Sequence, residues 1–220
     1  MKVKNILTRI VMFMVPIRCS YKAFFVIIFT AFNLFAVAST SSSALEQPEA
    51  ALFIGRIVEE VNEIISSDEE KEIALQKLES VFEKYADINI IALTTLGAAR
   101  RAASAGDLDI YREAFKVYFL GKYAKRFREL TDGNIEVVST DKVKSYVEVR
   151  SIMTMMDWAP FDVIWLISDR SGSIKVFNII MDGISLLAFE RTEIGVMLEN
   201  RGGSIKSLSE ALRNTNYSKK

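Results

Sequence analysis

The sequence predicts an α+β fold, with N-terminal helices packed on a curved four-stranded antiparallel sheet, closed by C-terminal helices and enclosing an apolar pocket. Apolar residues first recur at the three- and four-residue spacing of amphipathic helices. After Gly133 the pattern changes to short runs rich in Val, Ile and aromatic residues. Short connections between consecutive strands indicate an antiparallel meander, and helices on one face of such a sheet leave room for a dry pocket between the layers.

Four helices are predicted in the first half. An apolar stripe over 54–65 indicates the first, and Ser67 with Glu70 resembles a capping box that opens the second. The third is expected over about Ile88 to Ala103, and the fourth follows Asp107, a residue suited to an N-cap. An aromatic stripe on the fourth helix either fills the core or lines a cavity. Its rings are those of Tyr111, Phe115, Phe119, Tyr123 and Phe127.

Four extended segments follow, and turn signals separate them at Thr140-Asp141, at Ala159-Pro160 and within 168–173. In the second segment four apolar residues alternate with Glu148 and Arg150, so they share one face of the strand. These four are Val147, Val149, Met153 and Met155. The predicted strands cover 134–140, 143–156, 161–168 and 174–181.

The last strand stops at Asp182-Gly183, and two helices complete the predicted domain. Ser185 is expected to be the N-cap of the first, which ends near Gly202. The second carries Leu208 and Leu212 on one side. The predicted domain covers 50–214, with helices over 50–132, the sheet over 133–182, C-terminal helices over 183–214 and a tail over 215–220.

Composition favours binding over catalysis. The chain of 220 residues has no histidine, and its one cysteine is Cys19. These absences exclude Ser-His and Cys-His catalysis, and they exclude zinc sites built from histidine or cysteine. Hydrophobic residues make up 50% of the chain. We therefore expect no enzyme activity, no catalytic residue, no metal and no cofactor.

The N-terminal segment has the features of an export signal. A basic stretch without acidic residues precedes an apolar run that ends in Ala36 and Ala38, the pattern that signal peptidase cleaves. We expect a signal peptide over 1–38 and a flexible tether over 39–49; the alternative is an uncleaved membrane anchor. Removing 1–38 takes away five basic residues and leaves 23 against 28 acidic ones (28 minus 5), so a basic nucleic-acid footprint is absent.

Three segments, 85–103, 111–133 and 174–212, resemble the MlaC family, also called the toluene-tolerance auxiliary family. Its members are periplasmic phospholipid-binding components of the Mla lipid-transport system. The last segment is similar to a family pattern of W-x-V-x-D on a strand, then E-G-x-S, then an arginine on the following helix. The residues that match are Leu96, Gly97, Phe115, Tyr123, Gly183, Ser185 and Arg191. The residues that depart are Ile174 at the tryptophan, Asn178 at the aspartate and Asp182 at the glutamate.

This resemblance implies a periplasmic shuttle that carries phospholipid between the inner and outer membranes and so maintains outer-membrane asymmetry. The implied partners are phospholipid, an inner-membrane ABC lipid transporter complex and an outer-membrane lipoprotein complex, reached by transient contacts with membrane proteins; nucleic acid is not among them. Flexible methionines suit a pocket wall for acyl chains. The candidate lipid-binding residues are Phe115, Phe119, Tyr123, Val147, Val149, Met153, Met155, Phe177, Ile179 and Met181.

Two charged features have alternative interpretations. Arg191 is either a surface or ion-paired arginine or a contact for a lipid phosphate or a partner. A basic cluster at the end of the fourth helix is either a solvated helix end, which the helix dipole favours, or a docking face. The cluster consists of Lys122, Lys125, Arg126 and Arg128.

Two other functions remain open at this level. One is a membrane-anchored scaffold with a filled core and no ligand. The other is an enzyme on a similar cone-shaped fold, which would need a buried acid such as Asp162 or Asp182 facing the cavity. If a lipid is bound, its identity is also open, since an apolar cavity recognises shape and length, and a hopanoid would fit as well.

Overall fold

The computed structural model describes residues 45–128, 133–156 and 158–215. The predicted signal peptide and most of the predicted tether lie outside these residues. Six α-helices and a five-stranded sheet are described. The helices are α1 (Gln47–Ile65), α2 (Lys71–Tyr85), α3 (Ile88–Thr95), α4 (Ala105–Arg128), α5 (Leu186–Glu199) and α6 (Ile205–Arg213). The strands are β1 (Asn134–Val143), β2 (Tyr146–Met155), β3 (Trp158–Ser168), β4 (Lys175–Met181) and β5 (Ile184–Ser185).

The first helix begins earlier than the sequence predicts. α1 starts at Gln47, inside the predicted tether, with Pro48 in its first turn. A proline is well tolerated there because the first backbone N–H groups of a helix have no intrahelical acceptor. Leu45, just before the helix, is buried in the core. The stretch before residue 50 is therefore partly folded, because it supplies an apolar side chain to the domain.

Two helix starts differ from prediction because the polar side chains cap other groups. The Ser67 hydroxyl donates to the carbonyl of Ile64 at the end of α1, so the predicted capping box with Glu70 does not form. The fourth helix begins at Ala105, and the backbone N–H of Asp107 donates to Ser104 Oγ at 3.1 Å. Ser104 is thus the cap, and the prediction of Asp107 was wrong.

The third helix is shorter than predicted. α3 ends at Thr95, and Gly97 follows with φ +55°, a backbone conformation that favours glycine. A short 3₁₀ turn over Ala99–Arg101 then leads to α4. The predicted continuous helix as far as Ala103 is therefore wrong, since the chain leaves the helix at Gly97.

The sheet is an antiparallel meander in the order β1-β2-β3-β4-β5. The α+β class is confirmed, but the sheet has five strands, because Ile184–Ser185 folds back on β4 after Gly183. The predicted turn at Thr140-Asp141 was also wrong. Both residues pair with β2, and the chain reverses instead after Lys144, which has φ +50°. Ala159-Pro160 likewise belongs to β3 rather than to a turn.

Two apolar clusters hold the described residues together. In the first, α1 packs on the inner face of the sheet, represented by Val149, Trp165 and Ile167, and α2 packs beside α1 and α4. In the second, α3, α5 and α6 surround the aromatic residues of α4. Among the described helices, none is long and apolar enough to cross a membrane.

Candidate functional site

An open cavity of about 880 Å³ lies between the sheet and helices α4 and α5. Aromatic and aliphatic side chains make up most of its wall. The sheet side consists of Ile135, Met153, Trp158, Ala159, Pro160, Phe161, Val163, Trp165, Ile179, Met181, Asp182 and Ile184. The helix side consists of Tyr123, Arg126, Phe127, Leu186 and Phe189.

Strand register brings the sheet side of the wall together. Trp165 of β3 pairs with Ile179 of β4, and Val163 pairs with Met181. The Trp165 Nε1–H donates to Ser151 Oγ at 2.8 Å, and this hydroxyl donates to the carbonyl of Val163. All three polar groups are satisfied inside the protein, so the indole ring is held in place and contributes apolar surface to the cavity.

A smaller cavity of about 40 Å³ lies beside the first. It shares Tyr123, Phe127, Ile179 and Leu186 with the large cavity, and Phe119 lines it as well. Its remaining wall comes from Phe82, Ala86, Ile91, Val176 and Asn178. The aromatic stripe of α4 therefore serves both predicted purposes, because some of its rings face cavities while others fill the core.

A buried ion pair joins the two helices of the cavity wall. Lys122 Nζ of α4 lies 2.6 Å from Glu190 Oε1 of α5, and neither side chain is accessible to solvent beyond 1%. Lys122 also contacts Glu193 and the hydroxyl of Tyr118. Glu190 Oε2 is buried and has no hydrogen-bond partner among the described residues. The pair is fully desolvated, so each charge depends on the other.

Tyr123 connects this ion pair to the cavity. Its ring lines the cavity, and its hydroxyl donates to Glu190 Oε1. Burial and, after it, the negative charge of Glu190 raise the pKa of Tyr123 above that of a free tyrosine. The hydroxyl is therefore neutral at ordinary pH and acts as a hydrogen-bond donor that orients the ring.

Helix α5 is anchored at its N-terminus by two side chains. Ser185 Oγ accepts from the backbone N–H of Ala188, and Asn178 Oδ1 accepts from that of Leu187 at 2.9 Å. The Asn178 amide also donates to Ser185 Oγ. The predicted N-cap at Ser185 is confirmed, and this arrangement places Leu186 and Phe189 on the cavity.

Two charged residues of opposite sign line the cavity. Arg126 of α4 is exposed, and its guanidinium lies 5.9 Å from the ring centroid of Tyr123 and 5.8 Å from that of Phe189. Asp182 follows β4 with φ +47° and is also exposed. Both groups reach solvent, so the polar part of the wall lies where the cavity opens.

A family model, described as MlaC protein, matches residues 55–214. The chain belongs to the MlaC family. Among solved structures, it is similar to a phospholipid-binding protein from Ralstonia solanacearum, determined in complex with a phospholipid. The identity is 18%, the TM-score is 0.63, and the match covers 77% of this chain and 99% of the other. No curated protein sequence matches this chain significantly.

In this MlaC family member, the structure brings four of the ten candidate lipid-binding residues to the large cavity. They are Tyr123, Met153, Ile179 and Met181. Phe119 lines the small cavity. Phe115 instead fills the helical cluster, and Val147 and Val149 fill the sheet cluster, so none of these three lines either cavity. Met155 packs against the sheet cluster near the end of β2 and is also absent from the cavity wall.

Phe177 is displaced from the wall by a bulge in β4. Leu166 pairs with Asn178 and Ile167 pairs with Val176, so Phe177 has no partner on β3. One extra residue reverses the alternation of side chains along a strand. The ring of Phe177 contacts Tyr146, with centroids 5.6 Å apart, and does not line the cavity.

The basic cluster of α4 does not form one surface. Lys122 is buried in the ion pair with Glu190, so neither the docking face nor the solvated helix end describes it. Arg126 lines the cavity, and Lys125 is half-buried. Arg128 ends the helix, and its side chain lies outside what the structure describes.

Arg191 lies apart from the cavity wall. A Cβ atom placed on Gly97 would be 3.3 Å from Arg191 Nη2, so the guanidinium covers the glycine at the end of α3. Two residues that match the family pattern at distant positions are thus in contact. Residues 45–128, 133–156 and 158–215 hold no cluster of three acidic, cysteine or histidine side chains suited to a metal ion.

Much of the cavity wall consists of residues that were not predicted from the sequence. Trp165 was not among the candidate lipid-binding residues, yet it pairs with Ile179 and lines the cavity. Trp158 was missed because Ala159-Pro160 was interpreted as a turn, and Phe161 was placed in the predicted third strand without being chosen as a wall residue. Phe189 was missed as well. This aromatic side chain is 46% exposed, which is typical of a binding surface, but its exposure can be recognised only when the position of the helix is known.

Proposed function

We propose that this chain is a phospholipid carrier that holds the acyl chains of its cargo in the large cavity and leaves the headgroup near Arg126 and the solvent. The observation that carries this proposal is the open apolar cavity within a fold of the MlaC family. The similar Ralstonia protein, whose structure contains a phospholipid, supports the choice of ligand class.

The cavity has a suitable size. A water molecule occupies about 30 Å³ of liquid and a methylene group is similar in volume, so about 880 Å³ has room for on the order of 30 methylene groups. That is comparable to the apolar part of one diacyl lipid. Each buried methylene contributes roughly 0.8 kcal/mol, so apolar contact alone offsets the cost of taking a lipid out of a bilayer without many polar interactions.

The geometry disfavours the enzyme alternative. Asp182 is exposed at the turn after β4, and Asp162 is exposed with Arg150 Nη1 3.6 Å away. The Tyr123 hydroxyl is engaged by Glu190. An acid/base site needs a titratable group directed at a substrate, and neither of the two candidate acids is buried against the cavity. A ligand-binding function accounts for the same cavity wall and requires no catalytic residue.

The proposal includes export and transfer between membranes. Cleavage after Ala38 would release the mature protein into the periplasm. There it would exchange lipid with an inner-membrane ABC transporter complex and an outer-membrane lipoprotein complex, and so help to maintain lipid asymmetry of the outer membrane. Membership of the MlaC family supports this role.

The test compares two aspartate substitutions on the sheet. Ile179→Asp places a charge on the cavity wall, whereas Ile152→Asp places one on the exposed face of β2, next to the wall residue Met153. We expect Ile179→Asp to copurify with much less phospholipid than the wild type and Ile152→Asp to retain it. Lipid extraction and mass spectrometry would measure both. Equal phospholipid content in two folded variants would contradict the cavity assignment.

A further inference from the structure

We propose that Arg126 binds the phosphate of the bound lipid, so that the cavity selects phospholipids over neutral lipids with the same acyl chains. This inference rests on the proposed function. It differs from the sequence-based expectations, in which Arg191 was either a surface or ion-paired arginine or a contact for a lipid phosphate or a partner. Arg126 belonged there to a basic cluster that was either a solvated helix end or a docking face.

Arg126 lies at the mouth of the cavity. Its side chain is exposed and also lines the cavity, so it lies where the apolar interior meets solvent. A diacyl lipid whose chains occupy the interior has its phosphate at this boundary. Arg191, by contrast, lies over Gly97 and does not line the cavity.

Arg126 is pre-positioned by two aromatic rings. Its guanidinium lies within 6 Å of two ring centroids, those of Tyr123 and Phe189. Rings hold a guanidinium by cation–π attraction while leaving its N–H groups free for an acceptor. The Tyr123 ring is itself fixed by the hydrogen bond to Glu190, so the support under Arg126 is rigid.

The positive charge of Arg126 is available to an anionic ligand. The neighbouring cation, Lys122, is committed to Glu190 and Glu193 inside the protein. Within the part of the chain that the structure describes, Arg126 forms no ion pair with a carboxylate. A planar guanidinium without a carboxylate partner matches a phosphate, which it can bind through two parallel hydrogen bonds.

The negative charge of Asp182 on the sheet side also favours a phosphate position next to Arg126. Asp182, the other charged residue of the wall, lies at the turn between β4 and β5. Its carboxylate disfavours an anionic group on that side of the opening. The phosphate is therefore expected on the helix side, next to Arg126 and Phe189.

The experiment measures headgroup preference rather than binding alone. Delipidated full-length protein is incubated with an equimolar mixture of phosphatidylethanolamine and the diacylglycerol carrying the same two acyl chains, and native mass spectrometry gives the ratio of the two complexes. We expect the wild type to favour the phospholipid by about tenfold, the value of one charge-assisted hydrogen bond. Arg126→Gln should lower this ratio towards one, and the matched variant Arg191→Gln should keep it.

Each outcome decides between the two proposals. If the wild type loads neither lipid, the carrier function fails, and this inference fails with it. If it loads both without preference, or if Arg126→Gln keeps the preference, only the assignment of Arg126 is overturned. Millimolar inorganic phosphate should leave the wild-type ratio unchanged, since free phosphate has no acyl chains to hold it; Arg126-dependent binding of phosphate without lipid would show a free-anion site instead.

Discussion

Lys122 illustrates how a single residue in the core can depend on its partner. Its ammonium group is buried between the carboxylate of Glu190 and three aromatic rings, those of Tyr118, Tyr123 and Phe189. Taking a charge out of water costs several kcal/mol, and the pairing with Glu190, together with the contact to Glu193, offsets this cost. The pair therefore specifies how α4 and α5 meet along the cavity. An apolar pair of equal volume would stabilise the fold to a similar extent.

Removing one partner of this pair should be strongly destabilising. Lys122→Met leaves Glu190 buried without its counter-charge, and we expect the free energy of unfolding to fall by about 3–5 kcal/mol in urea titrations. The double variant Lys122→Met with Glu190→Leu removes both charges and should recover most of this loss. A loss below about 1 kcal/mol in the single variant would mean that Glu190 finds another partner or water.

At the scale of elements, the N-terminus of α5 explains one departure from the family pattern. Asn178 stands where the family has aspartate, and its side-chain oxygen accepts the backbone N–H of Leu187. An aspartate could accept the same bond and also a hydrogen bond from Ser185 Oγ. The substitution therefore keeps the anchoring of the helix that carries Leu186 and Phe189 into the cavity.

Two substitutions test this anchoring. Asn178→Ala should lower the free energy of unfolding by about 1–2 kcal/mol, because it leaves partly buried polar groups of the α5 N-terminus without a partner. Asn178→Asp should stay within about 1 kcal/mol of the wild type, since a negative charge is favourable at a helix N-terminus. Thermal unfolding followed by circular dichroism would compare them; equal losses in both variants would contradict the capping role.

Element types were more predictable than element ends. The alternation of Val147 and Val149 with Glu148 and Arg150 identified a strand with one buried face, and the structure agrees. The end of a helix depends on which hydrogen-bond partner a nearby polar side chain has, and both Ser67 and Asp107 have more than one group within reach. The bulge at Phe177 has no sequence signal of its own, because it arises from how β3 and β4 pair.

The candidate site was only partly predictable for a related reason. Periodicity identifies which residues of a strand or helix share a face, but the position of a cavity depends on where two elements separate. Phe115 and Phe119 belong to the same stripe of α4, yet one fills the core and the other lines the small cavity. Contacts such as that between Arg191 and Gly97 are likewise visible only in three dimensions.

In the whole molecule, the cavity between the sheet and helices α4 and α5 is the proposed binding site for one phospholipid. A core that was merely imperfectly packed would not hold a lipid through purification. The two interpretations differ in the mass of the intact protein, because a bound diacyl phospholipid adds a defined mass and an unoccupied core adds none.

Native mass spectrometry of the wild-type protein, purified without detergent, tests this claim most directly. We expect one phospholipid per chain, which lipid extraction would then identify by its headgroup and acyl chains. A protein that shows only its bare mass, even after incubation with phospholipid vesicles, would contradict the proposed carrier function and would favour a scaffold with no ligand.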